Sequence, residues 1–134
     1  MNEPIWITEA DVLSFHEEML LRHGGLSGIR DPGLLESGLN RPLQLYAYGH
    51  PDLFGLAAAY AAGIVKNHPF LDGNKRAGFM AAALFIESNG YSFQATEEDV
   101  VIHTVALAAG DIDEAGYAKW LSRVSVPEKD GQDS

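Results

Sequence analysis

The sequence predicts an all-α fold: one domain, a helical bundle of about six helices with a small flap or hairpin. Three observations carry that reading. Apolar residues recur at helical spacing in successive segments, and most of these segments open on a Thr or Asp suited to cap a helix. Two central segments, about residues 52–66 and 74–88, are apolar on nearly every face, which marks helices buried inside a bundle. Finally, 134 residues without an internal repeat or a linker fit a single domain.

Taken in order, Thr8 with Asp11 resembles an N-cap and its acidic partner, followed by Val12, Phe15, Met19 and Leu20 on one face. Arg22-His23-Gly24-Gly25 ends this helix and begins the glycine-dense loop "GGLSGIRDPG". Asp31 caps the second helix, Pro32 fits its first position, and Leu34, Leu35 and Leu39 form its apolar side. Pro42 is expected to stop it, since an interior proline lacks the N–H and clashes with the preceding turn. The next stretch, "LQLYAYGHPD", alternates weakly and turns at Gly49-His50-Pro51, so an exposed flap or small hairpin is expected. Asp52 caps the third helix, and Asn89-Gly90 ends the fourth. Thr96 with Asp99 opens a fifth to about Ala109, and Asp113 a sixth to about Val124. The domain is expected over residues 1–125, with 126–134 a polar, disordered tail.

Composition excludes several function classes. With no cysteine, disulfides and thiolate zinc sites are impossible. No apolar run reaches the roughly 18 residues of a membrane span, and the acidic N-terminus lacks the layout of a signal peptide. A cytoplasmic protein without membrane contact is expected. A formal net charge of −10 argues against direct binding of nucleic acid, which needs clustered cations. Yet Lys66, Lys75 and Arg76, three of only nine Lys and Arg residues, flank one short loop.

That loop lies in "NHPFLDGNKRAGFMAAALFIESNG", residues 67–90, between the two most apolar helices. A helix opening near Asn74 presents free N–H groups and the positive end of its dipole, a site for phosphate. Gly73 allows close backbone approach. Lys75 and Arg76 in the first turn oppose the helix dipole, which makes sense when an anion binds there. Asp72 could hold Mg²⁺, Asn74 could bond a phosphate oxygen, and His68 could take a proton from an attacking hydroxyl. Phe70 is expected to point inward. Singly, each residue has a plainer reading: a loop histidine is more often structural, and Asp72 and Asn74 also suit turns and caps. No phosphate loop of the GxxxxGK[ST] type, GxSxG elbow or HExxH zinc motif is present; His16, His23, His50 and His103 show no metal-type spacing.

"HPFLDGNKR" resembles the signature loop of the Fic/Doc family, a pattern close to HPFx[DE]GN, then G or K, then R. "LRHGGLSGIRDPGLLESGLNRP" and "LFIESNGY" resemble the Doc (death-on-curing) branch, over about residues 5–124. The resemblance implies a helical bundle with the loop between its central helices, a catalytic base at His68, an Mg²⁺-engaging acid at Asp72, catalytic cations at Lys75 and Arg76, and ATP held by Gly73, Asn74, Lys75, Arg76 and Lys66. A flap that aligns a target segment maps to Leu45, Tyr46, Ala47, Tyr48, Gly49 and His50. Family members that transfer AMP usually have Gly at the position of Lys75 and a second Arg at that of Phe79. Doc toxins are instead protein kinases that transfer the terminal phosphate to a threonine of elongation factor Tu and arrest translation. They are held by an antitoxin whose helical tail lies in a groove. The expected function is therefore a toxin kinase of a toxin–antitoxin pair. An AMP or other nucleotidyl transferase, and a catalytically silent peptide-binding module, are the alternatives.

Overall fold

The computed structural model describes residues 3–49 and 51–128. In chain order the elements are α1 (Glu9–His23), α2 (Pro32–Tyr48), α3 (Leu53–Asn67), α4 (Asn74–Ser88), β1 (Tyr91–Phe93), α5 (Glu97–Ala109), α6 (Glu114–Arg123) and β2 (Ser125–Pro127). Five helices open on a side-chain cap. At α1 the Thr8 hydroxyl accepts from Asp11 N–H while the Asp11 carboxylate accepts from Thr8 N–H, a complete capping box. Asp31, Asp52, Thr96 and Asp113 each accept a backbone N–H at the start of α2, α3, α5 and α6. Helix α4 opens on Gly73 and has no side-chain cap.

Helix α3 is the axis of the bundle: every residue from Leu56 to Val65 is buried, and α2, α4 and α6 pack around it. Small residues set the spacing. A Cβ on Gly63 would lie 2.7 Å from the carbonyl oxygen of Gly38, and one on Gly38 would lie 2.9 Å from that of Gly63, so α2 and α3 touch backbone to backbone. Ala in place of Gly63 must push the helices apart. We expect a loss of about 1–3 kcal/mol, as for other overpacked cores, read as a lower urea midpoint at unchanged slope. An unchanged midpoint would show that α2 can move without cost.

The same crossing corrects one expectation. Helix α2 does not stop at Pro42 but runs on to Tyr48. The missing N–H of Pro42 deprives the Gly38 carbonyl, four residues earlier, of its helical partner. The freed Gly38 carbonyl is turned onto Gly63 of α3. Leu45, Tyr46, Ala47 and Tyr48 are therefore the last turn of a helix rather than a flap or hairpin, and Gly49 is its C-cap. Tyr46 packs edge-on against Trp6, which stacks on Phe85. His50 lies outside the described residues. The strand pairing sits elsewhere: β1 and β2 are antiparallel, with Tyr91 opposite Pro127, Ser92 opposite Val126 and Phe93 opposite Ser125. Val126 and Pro127 thus belong to the ordered domain and not to a tail; residues 129–134 are outside the described residues.

Two tyrosines are sealed in this core. Tyr60 bonds the backbone of Ile7 and Tyr117 shares a hydrogen bond with Thr104. Burial pushes both phenols up to about 12. Above pH ~10 the unfolded chain ionises these groups while the folded chain keeps them protonated, so the unfolded state binds fewer protons and stability falls as pH rises. Each tyrosine should remove about 1.4 kcal/mol per pH unit between ~10 and ~12. Melts across that range check this; a flat stability there would contradict it. Among the described residues no helix is long and apolar enough to cross a membrane.

Candidate active site

The loop between α3 and α4 is held by its backbone, and the partners of that backbone define the site. Helix α3 ends on His68, whose φ of 50° puts it in the left-handed region that closes many helices. Arg30 donates from Nε to the His68 carbonyl (2.7 Å) and from Nη2 to the Asn67 carbonyl (3.0 Å), a cation at the negative end of the α3 dipole. The N–H groups of Arg30 and Asp31 both donate to the Pro69 carbonyl, and Leu71 N–H donates to the Gly28 carbonyl. These bonds make an antiparallel bridge between Ile29 and Phe70. Phe70 is buried, as its sequence position implies, and its own N–H and C=O are taken by one side chain: Asn74 Oδ1 accepts from Phe70 N–H (2.9 Å) and Asn74 Nδ2 donates to Phe70 C=O (3.0 Å).

Of the predicted residues, His68 and Asp72 to Arg76 lie together on this loop and the first turn of α4, with different degrees of freedom. The His68 side chain is exposed, its Nδ1 lying 3.5 Å from Asn74 Nδ2. The exposed Asp72 has its carboxylate aimed by two backbone donors, Gly73 N–H at 2.9 Å and Leu26 N–H at 3.3 Å. Gly73, at φ 78°, turns the chain into α4. Asn74 is buried, with its amide committed to Phe70, so its N–H rather than its side chain is free to meet a ligand. Among the described residues the N–H groups of Asn74, Lys75 and Arg76 have no partner; the first α4 N–H to find one is that of Ala77, on Gly73 C=O. Lys75 and Arg76 are exposed beside them. Arg76 Nη1 is 3.3 Å from His23 Nε2 and 3.8 Å from Glu97, a solvated pair worth little by itself. Lys66 is exposed in the last turn of α3 and lines a separate polar cleft with Ser37, Arg41 and Glu114. The Leu45–Tyr48 turn of α2 takes no part in the contacts that hold the loop.

Two features were missed in the sequence. One is the segment 25–31, which lies across the loop. Its glycines were visible, but the Arg30 contact to the end of α3 is a tertiary pairing without a local pattern. The other is His16, buried on α1, stacked on Phe70 at 3.7 Å and bonded through Nε2 to the Asp72 carbonyl at 2.9 Å.

No group of three or more His, Cys, Asp or Glu side chains that could hold a metal exists among the described residues. The one oriented carboxylate, Asp72, is the kind of ligand Mg²⁺ takes, since that ion is commonly bound by one or two carboxylates together with substrate phosphates, and the unpaired N–H groups suit the phosphates. Next to this loop, α1, α4, β1 and α5 enclose a groove of about 540 Å³, walled by Met19, Phe79, Met80, Phe93 and Val101, with Lys75 and Arg76 also on its lining.

A model of the Fic/DOC family matches residues 6–86 of the chain, the span that contains α1 to α3, the whole loop and α4 as far as Ile86. The chain is a member of the Fic/Doc family. Its similarity to curated members falls in the Doc branch. Protein kinase doc of Escherichia phage P1 is 33% identical over 119 residues, covering 88% of this chain and 94% of that protein. Toxin Doc of Mycolicibacterium smegmatis (strain ATCC 700084 / mc(2)155) is 35% identical over 107 residues, 71% of this chain and 82% of its own length. The Fic/Doc motif is thus carried on the fold expected of it, with the loop at the junction of the two central helices.

Proposed function

We propose that the protein is a Doc-like toxin kinase that transfers the γ-phosphate of ATP to a Ser or Thr hydroxyl of a target protein. The observation that carries this reading is the uncapped N-terminus of α4: three unpaired N–H groups, Lys75 and Arg76 beside the exposed His68 and the aimed carboxylate of Asp72. Phosphoryl transfer asks mainly for such positioning and charge neutralisation. His68 accepts the proton of the attacking hydroxyl. A bond forms between that oxygen and the γ-phosphorus while the bond from phosphorus to the bridging oxygen breaks, and ADP leaves with the electron pair. The α4 N–H groups, Lys75 and Arg76 hold the polyphosphate as charge moves onto the leaving oxygen. Asp72 would hold Mg²⁺, which would supply further neutralisation of the phosphate charge when bound.

Two observations support kinase over nucleotidyl chemistry. One relative is named a protein kinase. Phe79, where AMP-transferring members carry a second arginine, packs on Phe93 at 5.2 Å in the apolar groove, so no cation stands there. The target is expected to dock along the 25–31 segment rather than the end of α2. In a bridge of this type the N–H and C=O of Ile29 point away from Phe70. That leaves an edge to which an extended target segment can add as a strand. Elongation factor Tu is the proposed target, arrest of translation the outcome and the cytoplasm the compartment. The apolar groove fits the helical tail of an antitoxin, with anchors at helical spacing against Met19, Phe79 and Val101.

Calorimetric titration with ATP tests the site. Binding is expected with Mg²⁺ present, and Lys75→Ala is expected to weaken it by roughly 10- to 100-fold, the worth of one charge-assisted contact. No ATP binding by the native chain, with or without Mg²⁺, would overturn the proposal. Unchanged affinity in Lys75→Ala would remove that side chain from the phosphate site.

A further inference from the structure

We infer that His16 is a positioning residue for this site, holding the Asp72–Gly73 peptide in the orientation that aims the Asp72 carboxylate and opens α4; the inference rests on the proposed role of Asp72. His16 is 3% exposed and belongs to α1, which supplies none of the groups assigned to the chemistry. Its Nε2 is 2.9 Å from the Asp72 carbonyl oxygen. A carbonyl only accepts, so Nε2 carries the hydrogen. The same peptide unit has its other end, Gly73 N–H, on Asp72 Oδ1 at 2.9 Å. Rotating the peptide away from His16 therefore also moves the donor that fixes the carboxylate. The turn is closed from the same side. A Cβ on Gly73 would lie 2.5 Å from Met19 Cε and 3.5 Å from His16 Nε2, and Met19 is one helical turn along α1 from His16. Stacking of the His16 ring on Phe70, at 3.7 Å and 12° between planes, sets the imidazole so that its N–H meets the carbonyl.

A buried ring stacked on phenylalanine would serve packing alone, and two substitutions separate packing from donation. His16→Phe keeps an aromatic ring on Phe70 and removes the donor; His16→Gln offers an N–H at similar reach and removes the ring. Where His16→Phe does not fold, His16→Met takes its place as the variant without a donor. The full chain is labelled with ¹³C and ¹⁵N, and the carbonyl shift of Asp72 is read without nucleotide, so the result does not depend on the proposed activity. Transfer from γ-labelled ATP is then measured in the same variants. The carbonyl resonance is expected to move upfield in His16→Phe and to return in His16→Gln. Transfer is expected to fall on the order of 10²-fold and to recover with Gln, as for a reacting group displaced by about an ångström. An Asp72 carbonyl shift unchanged in His16→Phe, or a Gln variant no better than Phe in both readouts, would overturn the inference. If the native chain transfers no phosphate, the proposed function fails and the carbonyl shift alone decides the positioning role.

Discussion

Replacing His68 by Ala is expected to lower phosphate transfer by about 10²–10⁴-fold, the usual contribution of a general base, and to leave the melting temperature close to that of the native chain. The two halves of this expectation have separate causes. The His68 side chain is exposed, and its one hydrogen-bond contact among the described residues, with Asn74 at 3.5 Å, is at the limit of such a bond. The loop is instead held through the His68 carbonyl, which Arg30 binds and which Ala would also present. Left-handed backbone at this position disfavours Ala slightly, so His68→Asn, a residue that tolerates αL, is a useful companion. Single-turnover transfer and a thermal melt on the same sample check both halves. Transfer at the native rate would remove His68 from the chemistry, and a collapsed melt would mean that the imidazole is structural.

Asn74→Ala should behave in the opposite way, losing activity and stability together. Its amide is the partner of both polar groups of Phe70, and both are buried with it. Without it a buried N–H and a buried C=O are orphaned at about 1–3 kcal/mol each, less whatever water recovers. The loop then loses the clamp between its centre and the first residue of α4, and transfer should drop on the order of 10²-fold through misplacement. Urea unfolding and transfer assays decide the matter. Lost transfer at full stability would mean that the Asn74 side chain contacts phosphate instead of holding the loop.

This contrast shows what a linear sequence can and cannot carry. Asn74 stood out as polar at a helix start, and its type suits a phosphate ligand and a loop clamp equally. Only the distance to Phe70 assigns its amide. The caps were legible because capping is local: Thr8 with Asp11, Asp31, Asp52, Thr96 and Asp113 each act within three residues of themselves. Buried α3 was legible from its all-round apolar surface, whereas α4, apolar on as many faces in the sequence, buries only the face of Ala77, Gly78, Ala81, Ala82, Phe85 and Ile86 and leaves Leu84 exposed. Pro42 misled because its usual effect was overridden by tertiary context: α2 continues through the proline where Gly38 packs backbone to backbone on Gly63 of α3. Strands β1 and β2 are three residues each and far apart in the chain, too short to show alternation. Of the site, the chemistry-bearing string 68–76 was readable as a unit. His16 and Arg30 were not, since each acts through contacts to backbone 37–56 residues away.

The central claim is that a phosphate-binding helix terminus, an aimed carboxylate and a free imidazole transfer the terminal phosphate of ATP to protein. The most direct measurement mixes the purified chain with Mg²⁺ and a bacterial lysate, using ATP labelled on either the α or the γ phosphate, with His68→Ala as control. Protein labelled from γ alone, and lost with His68, is the predicted result. Label from α would contradict it and mean transfer of the nucleotide, with Lys75 and Phe79 compatible with that chemistry after all.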